Sequence, residues 1–295
     1  ARAGVDGGTG ATLAAGQAAG EIGVSENEPA AGAGTRHPGT VSEKENALTL
    51  RKCTSLEEMQ ACFALHREVW SYSDADLIPV RLFVVASKIG GQVMGAFDGK
   101  ELAGFALALP AMRNGHSYLH SQMLAVRPQY RNAGLGRRLK LFQRDDALAR
   151  GIELMEWTFD PLEIKNAYLN IEKLSVIVRR YSVNQYGDSS SPLQGGLPTD
   201  RLTAEWWMNS KRVQSVMTGG RRPAFESKIQ IDVPAEIYAW KADAATRSKA
   251  LAVQERNREQ FIRAFACGLS VLGYERDARG DGRFLLGSWD EPLVY

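Results

Sequence analysis

Few residues in this 295-residue sequence can bind a metal or form a disulfide. It holds four histidines and three cysteines, Cys53, Cys62 and Cys267. Neither set has the close spacing of a zinc site, and three separated cysteines cannot form a disulfide framework. The sequence therefore predicts no bound metal. So few cysteines are typical of a reducing compartment, which predicts a cytoplasmic location.

Long apolar runs and an excess of one charge are also missing. No apolar run approaches the ~20 residues that a membrane span needs. Lys and Arg number 36 and Asp and Glu 34, so the formal net charge is only +2. A charge this balanced gives no reason to expect a nucleic-acid partner. We therefore expect a globular protein that binds neither a membrane nor a nucleic acid.

Aromatic residues are absent from the first 46 positions, where Ala and Gly supply twenty residues. Apolar residues in this segment follow neither a helical nor a strand period. Such a segment buries too little apolar surface to offset the entropy of ordering it. We therefore predict a disordered tail over 1–46, a core domain over 47–186, and a C-terminal extension over 187–295 that packs on the core.

Regular patterns begin at Leu48. The core domain reads as strand, two helices, three strands, helix, strand, helix and strand, which predicts an α/β (α+β) mixed sheet with helices packed on it. The predicted strands are Leu48–Lys52, Gln92–Phe97, Glu101–Leu109 (ended by Pro110), Ser117–Val126, Leu154–Phe159 and Val176–Val183. Predicted helices follow the N-cap Ser55 and cover Arg81–Ile89, Leu135–Arg150 and Ile164–Leu174. The extension is predicted to hold strands at Leu202–Met208, Ile229–Val233 and Phe284–Trp289 and a helix over Ala244–Leu269.

One stretch carries a recognisable binding motif. A predicted strand ends in Arg127-Pro128, and the run Arg131-Asn132-Ala133-Gly134-Leu135-Gly136 then leads into a helix. Glycines let the backbone turn tightly and approach a ligand, and the start of the helix offers unpaired N–H groups. The segment 127–144 also contains six basic residues and no acid. Together these features predict a site for a phosphate or pyrophosphate.

This motif resembles that of the GNAT superfamily of N-acetyltransferases. Arg131–Gly136 is similar to the family's Gln/Arg-x-x-Gly-x-Gly/Ala pattern, and Asn166–Ser175 is loosely similar to the family's next helix. The element order over about 47–186 is similar as well. The resemblance implies a GNAT-like fold, here with extra C-terminal strands and a long helix, and an acyl-CoA cofactor, with acetyl-CoA the first candidate. The chain also looks like a little-characterised bacterial branch that carries a C-terminal region.

The resemblance further implies which residues hold the cofactor. The pyrophosphate would lie on the N–H groups of Asn132–Arg137, and the pantetheine arm would pair with Leu124, Ala125 and Val126. The Val126 N–H would then face the thioester carbonyl, and Asn166 would contact the cofactor. The implied cofactor-binding residues are Leu124, Ala125, Val126, Arg131, Asn132, Ala133, Gly134, Leu135, Gly136, Arg137 and Asn166.

The catalytic residues are harder to place. Many family members carry a Tyr that protonates the leaving thiolate, but the aligned position here is Asn170 or Leu169, so Tyr168 is the nearest candidate for the acid. A general base must deprotonate an ammonium substrate. His120 is the first choice for that base because its strand leads to the thioester, and Glu205 is a second candidate. His116, Asp160 and Glu163 stay open as further candidates.

The acceptor is predicted to be a small-molecule amine. Arg179 and Arg180 are adjacent on a strand, so we expect their side chains to point to opposite faces, one of them toward a substrate carboxylate. The predicted function is acyl-CoA-dependent N-acyl transfer by direct attack. Two alternatives stay open, a CoA-binding module with impaired catalysis and a different phosphate-ligand protein. The extension also leaves a homodimer possible.

Overall fold

The structure is a computed structural model that describes residues 48–71, 73, 74, 76–289 and 291. The tail predicted to be disordered, 1–46, lies outside these residues. Ten strands are present: β1 Thr49–Lys52, β2 Gln92–Asp98, β3 Glu101–Arg113, β4 His116–Val126, β5 Leu154–Phe159, β6 Ile177–Ser182, β7 Arg201–Trp207, β8 Ile229–Val233, β9 Leu269–Arg276 and β10 Gly282–Ser288. Seven helices pack on them: α1 Leu56–Trp70, α2 Val80–Lys88, α3 Leu135–Ala149, α4 Ile164–Tyr168, α5 Lys211–Met217, α6 Ile237–Ala242 and α7 Arg247–Ala266.

All ten strands form one sheet in the order β1-β2-β3-β4-β5-β7-β6-β9-β10-β8. Neighbouring strands are antiparallel except for β4 and β5, which run parallel. The expected mixed α/β class is therefore confirmed. β4 and β5 are paired at only two residue pairs and then separate, which leaves a gap in the sheet between them.

The first helix begins where the sequence predicts. The hydroxyl of Ser55 accepts from the Glu58 N–H, and the Glu58 carboxylate accepts from the Ser55 N–H, which makes a reciprocal capping box. The hairpin between β2 and β3 has Gly99 at φ +58° in its tight turn. Local sequence alone determines both features.

Pro110 does not end the third strand, so that prediction is wrong. β3 continues to Arg113, and Pro110 lies opposite Leu119 of β4. On its other side β3 loses its partner first, because β2 begins at Gln92 opposite Ala108. The missing N–H of Pro110 therefore costs no ladder hydrogen bond with β2, and proline is tolerated at such an edge.

Two predicted helices have different bounds in the structure. The helix expected over Ile164–Leu174 is α-helical only to Tyr168 and continues as a π-helical turn over Leu169–Lys173. The helix expected over Ala244–Leu269 ends at Ala266, because Gly268 adopts φ +74° and starts the turn into β9. β9, α5 and α6 were not predicted.

The strand β7 lies past residue 186 but inserts between β5 and β6. It pairs with β5 over six residue pairs and with β6 on its other edge. β9 then joins β6 through Val178 and Val271. The sheet thus continues from the core domain into the extension. The helix α7 covers this junction, where Phe261 stacks on Tyr181 with the ring centroids 5.7 Å apart.

Apolar side chains cover both faces of the sheet. One cluster lies between the sheet and the helices α3, α4 and α7, and includes Leu124, Leu139 and Phe261. A second cluster lies on the opposite face under α1 and α2, and includes Phe83 and Met123. The strand β4 contributes to both clusters by alternation. None of the helices in the described part of the chain has the length and apolar content of a membrane span.

Candidate functional site

The two parallel strands separate soon after they meet. β4 and β5 pair only at Leu119 with Met155 and at His120 with Glu156, although β4 continues to Val126 and β5 to Phe159. We call the gap between 121–126 of β4 and 157–159 of β5 the strand opening. An extended molecule that enters it can reach backbone groups on the β4 edge. Leu124, Ala125 and Val126, the predicted pantetheine partners, line this edge and are all buried.

The chain leaves β4 through a tight loop into α3. Two of its residues adopt left-handed conformations, Asn132 at φ +68° and Gly134 at φ +70°. The Arg131 guanidinium donates from Nε to the carbonyl of Val126 at 2.9 Å, which ties the loop back to the end of β4. A Cβ built on Gly134 meets no atom within 4 Å, so the space in front of the loop is open.

The start of α3 faces this open space. The first backbone hydrogen bond of the helix runs from the Arg138 N–H to the Gly134 carbonyl at 3.0 Å. The N–H groups of Leu135, Gly136 and Arg137 precede it and have no acceptor inside the helix. They lie at the positive end of the helix dipole, where an anion is stabilised. No acidic side chain lies in this first turn.

A chain of buried amides lies on the other side of the opening. Trp157 of β5 donates from Nε1 to the Asn170 Oδ1 at 3.3 Å, and the Asn170 Nδ2 donates to the Asn166 Oδ1 at 3.1 Å. Asn166 and Asn170 are almost fully buried. They are four residues apart, so they share one side of the α4 segment, the side that faces β5. Asn166 thus lies on the β5 side of the opening, and its contact with the cofactor stays a prediction.

Tyr168 is not brought into this chain of amides. It lies between Asn166 and Asn170 in sequence and therefore on the other side of the helical segment. Two cations lie over its ring, Lys173 at 5.4 Å and Arg276 of β9 at 5.8 Å from the ring centroid. These contacts direct Tyr168 toward the C-terminal strands. The geometry gives no support to its predicted role as the acid.

A cluster of charged side chains occupies the opposite face of the sheet. Its members come from five strands, and we call them the ionic cluster: Arg113, His120, Glu156, Arg179, Arg180 and Glu205. His120 lies beside Glu156, and Glu156 lies beside Glu205, in register across β4, β5 and β7. The two carboxylates are almost fully buried, each with 3% of its surface exposed. Two acids buried this deeply must be paired with cations.

Arginines make those pairs. Arg113 binds Glu156 through two parallel hydrogen bonds of 2.8 Å. Arg179 binds Glu205 from Nη2 at 2.5 Å, and Arg180 bridges both carboxylates. The arginine side chains remain 30–43% exposed. The cluster therefore presents guanidinium groups to solvent above buried acids.

Arg179 and Arg180 do not point to opposite faces, so that prediction is wrong. The register of β6 against β7 shifts between Val178 and Arg180. This bulge interrupts the alternation of side chains, and both arginines reach Glu205 on the same face. A bulge of this kind depends on the pairing of two strands and is not visible in the strand's own sequence.

The environment favours neutral His120. Burial lowers the pKa of His120 below its ordinary value, with Lys140 and Arg180 acting in the same direction and Glu156 opposing them. Burial also acts to raise the pKa of Glu156, but Arg113 and Arg180 outweigh it and the pKa is lowered. An unprotonated imidazole next to an ionised carboxylate can accept a proton.

The remaining base candidates have other positions. His116 is exposed at the start of β4. Asp160 and Glu163 both bind the buried ammonium of Lys241 on α6, at 2.8 and 2.9 Å. The Asp160 carboxylate also accepts from the Leu162 N–H at 2.8 Å, as expected for a turn-forming aspartate. Glu205 accepts from Arg179, Arg180 and Trp207. Of the five candidates, the structure brings His120 and Glu205 together in the ionic cluster.

Sequence reasoning missed three residues of this region, Arg113, Glu156 and Lys140. Glu156 interrupts an otherwise apolar strand, which is a visible sign of a buried acid. Lys140 follows Gly136 by four residues and precedes Ala147 by seven, so the helical period places it on the buried side of α3. Arg113 was missed because it follows Pro110, where the sequence predicts that the strand ends.

The sequence match to a family model agrees with this geometry. Residues 56–166 match the Acetyltransferase (GNAT) family. The family is one of acyl-CoA-dependent N-acyltransferases, so the predicted enzyme class and cofactor are confirmed. No curated protein shows significant similarity to the chain.

Solved structures share the architecture at low identity. A Salmonella typhimurium protein determined with its cofactor acetyl-CoA is 15% identical, with 56% of this chain and 96% of that chain covered and a TM-score of 0.45. The ribosomal-protein-S18-alanine N-acetyltransferase of Escherichia coli is also 15% identical, with 56% and 97% covered and a TM-score of 0.42. A GNAT acetyltransferase of Streptococcus pneumoniae is 16% identical, with 54% and 98% covered and a TM-score of 0.43. The family assignment rests on the sequence match to 56–166.

The residues present fit an acyl-CoA. The open space in front of Gly134 and the N–H groups that begin α3 suit a pyrophosphate. The strand opening offers an unpaired β4 edge to an extended arm. When bound, the cofactor supplies an activated thioester. A thioester held in the opening would lie between the ionic cluster on one side and the amides of Asn166 and Asn170 on the other.

Proposed function

We propose that the chain transfers an acetyl group from acetyl-CoA to a small-molecule amine by direct attack. The observation that carries this proposal is the position of His120. Its strand forms one edge of the strand opening, and its side chain lies on the face of the ionic cluster, at the last residue pair before the opening. A base at this point can deprotonate an amine as it approaches the thioester.

The cofactor is held by two contiguous segments. The N–H groups of 132–137 and the side chain of Arg131 bind the pyrophosphate. The edge of Leu124, Ala125 and Val126 binds the pantetheine arm, and the thioester lies beyond Leu124, toward Ser121, where a backbone N–H of β4 stabilises the negative oxygen that forms during attack, an effect of ~3 kcal/mol per donor. Asn166 contacts the cofactor from α4. No covalent intermediate with the enzyme is required.

The acceptor enters over the ionic cluster. Neutral His120, beside the ionised Glu156, takes the proton of the acceptor's ammonium group. We do not assign Glu205 as the base because Arg179, Arg180 and Trp207 already occupy its oxygens. His120 is therefore the proposed base, and Tyr168 is no longer needed as a participant.

The arginines of the ionic cluster indicate which second functional group the acceptor carries. Three arginines face two carboxylates, and Arg180 directs its side chain toward solvent while it bridges both acids. This excess of donors suits a carboxylate of the acceptor, bound bidentately. We therefore expect an acceptor that carries an amine and a carboxylate in one small molecule.

Three further expectations belong to this proposal. The acyltransferase unit includes β7 in addition to the predicted core, because β7 lies between β5 and β6. The C-terminal strands with α7 pack on this unit, and a homodimer remains an option for their outer edge. A cytoplasmic location accords with free cysteines and with acetyl-CoA as a substrate.

The test is release of free CoA thiol from acetyl-CoA in the presence of single amines. The panel pairs each amino acid with its decarboxylated amine, and includes peptides with a free N-terminus. We expect turnover with at least one small amine and a higher kcat/KM for its carboxylated form. Binding of acetyl-CoA without turnover of any amine would support the impaired CoA-binding module. Turnover of peptides alone would replace the small molecule by a protein acceptor.

A further inference from the structure

A lysine is buried beneath the strand opening without an acidic partner. Lys140 on α3 has 1% of its surface exposed. Among the residues that the structure describes, no carboxylate forms a hydrogen bond or an ion pair with its ammonium group. An unpaired ammonium is one of the most costly groups to bury. Such a group calls for a partner that arrives from outside the protein.

The position of its nitrogen points to that partner. The Lys140 Nζ donates to the Ser121 Oγ of β4 at 2.6 Å and lies 3.8 Å from the ring centroid of Trp157 on β5. It also lies 4.0 Å from the Met155 sulfur. Ser121 and Trp157 are the first residues of β4 and β5 after their last paired residues. The Lys140 ammonium group therefore contacts a residue of each strand at the narrow end of the opening.

The groups around Lys140 are polar but carry no negative charge toward it. The Ser121 hydroxyl also donates to the Gln143 Oε1 at 3.3 Å, and the Trp157 Nε1 donates to the Asn170 Oδ1. His120 lies on the other face of β4, and the charge of Lys140 acts to lower the pKa of His120. Asp146 on the same helix is engaged by Lys52, Gln92 and Arg150. Burial lowers the pKa of Lys140 well below its usual value.

We propose that Lys140 is the acid of the acyl transfer and protonates the CoA sulfur as it leaves. The proposal rests on the acyl-CoA cofactor of the proposed function. It gives the protein the proton donor that Tyr168 does not provide. The lysine also serves as the cationic partner of the thiolate when free CoA is bound.

The step balances in atoms and charge. The amine nitrogen forms a bond to the carbonyl carbon, and the carbon–sulfur bond breaks with its electron pair going to sulfur. The Lys140 ammonium gives a proton to sulfur and becomes a neutral amine. An ammonium acceptor loses two protons: the first goes to His120 before attack and passes on to solvent, and the second goes to His120 as the amide forms. Solvent later restores both groups.

The test compares three ligands in two variants. Calorimetry measures the affinity of CoA, of desulfo-CoA, which lacks the sulfur, and of acetyl-CoA, whose sulfur cannot ionise. The variant Lys140→Met keeps the length of the side chain and removes the charge. Lys88→Met, at an exposed position of α2, is the matched control. The measurements are made at neutral pH, because a lysine with a lowered pKa loses its charge in alkaline solution.

We expect the wild type and Lys88→Met to bind CoA about 10–100-fold more tightly than desulfo-CoA, as a charge-assisted hydrogen bond allows. In Lys140→Met this preference should vanish, while the affinity for acetyl-CoA changes little. The kcat should fall by about 10²–10⁴. The melting temperature should rise by about 2–4 °C, because a buried amine is replaced by an apolar group.

Three outcomes would overturn the proposal. Lys140→Met could keep the preference for CoA over desulfo-CoA. It could lose affinity for all three ligands equally, which would indicate a packing role. It could also retain kcat. Failure of the wild type to bind acetyl-CoA would instead contradict the cofactor assignment itself and remove the basis of this inference.

Discussion

The two sides of the strand opening are built in different ways. On the side of α3, the binding groups come from one contiguous stretch, from Leu124 to Arg137, and most of them are backbone N–H groups. On the side of the ionic cluster, six side chains come from five strands that span about ninety residues of sequence from Arg113 to Glu205. The first side needs glycines and a helix start, whereas the second needs a particular strand register.

This difference separates two tasks. A site made of backbone groups tolerates many side chains and binds a constant ligand, here the cofactor. A site made of paired side chains depends on each residue and can be adapted to one acceptor. Variants on the two sides should therefore differ in kind. Those in the loop over 131–137 should change cofactor affinity, and those in the ionic cluster should change turnover.

The largest effect is expected at His120. His120→Ala removes the proposed base and should lower kcat by about 10²–10⁴. The affinity for acetyl-CoA should stay within about threefold of the wild type, because His120 lies on the face away from α3. Steady-state kinetics and calorimetry measure the two quantities separately.

His116→Ala provides the comparison for that variant. His116 is four residues earlier on the same strand and exposed, so its removal should leave kcat unchanged. Equal loss of activity in both variants would show that the strand itself had been disturbed. Full activity in His120→Ala would remove the histidine from the chemistry.

Gly134→Asp should produce the second largest effect. Its carboxylate would enter the open space before α3 and repel the pyrophosphate, so acetyl-CoA affinity should fall by about 100-fold, or about 2.8 kcal/mol. Gly151→Asp is a matched control at the other end of α3. Gly151 has a similar φ of +72° and an equally open surrounding. A similar affinity for acetyl-CoA in both variants would place the cofactor elsewhere.

A smaller effect is expected for Glu156→Gln. The change leaves Arg113 without its carboxylate partner and Arg180 with only Glu205, and should lower the free energy of unfolding by about 1–3 kcal/mol. Asp232→Asn breaks the pair with Arg283, which is 46–58% exposed, and should cost less than about 1 kcal/mol. Urea unfolding measures both. Equal costs would show that the ionic cluster is no more than a surface network.

The smallest effect concerns pH. His120 acts as a base only when it is neutral, so activity should rise with pH through its pKa. Because burial lowers that pKa, the rising limb should lie below about 6.5, the ordinary value for histidine. His120→Gln should abolish the limb in a profile of kcat/KM. A rising limb above pH 6.5 that persists in His120→Gln would arise from the titration of a different group.

The side of α3 could be predicted from the sequence because its determinants are local. Arg131 to Gly136 and the start of α3 follow from glycine spacing and a helix start, and the strands before them follow from apolar runs. The ionic cluster could not be assembled in this way. His120 and Glu205 were chosen as single candidates, but their connection through Glu156 depends on the insertion of β7 beside β5.

Two local irregularities caused the clearest failures. Pro110 reads as the end of a strand, but its missing N–H faces an edge that β2 has already left, so β3 continues to Arg113. The bulge in β6 turns Arg179 and Arg180 to one face. Both depend on which strand lies alongside and how far it extends. Residue propensities and the apolar period are properties of one strand at a time. They do not show which strand lies alongside it or how far that strand extends.

Hydrogen–deuterium exchange with and without acetyl-CoA tests the central claim most directly, because it locates the cofactor along the chain without requiring turnover. The structure predicts protection in 122–137, which covers the β4 edge and the start of α3, and in 157–170 on the other side of the opening. Exchange in β8 and β10 should not change. Protection confined to the C-terminal strands, or none at a ligand concentration that saturates binding, would contradict a cofactor site between β4 and β5.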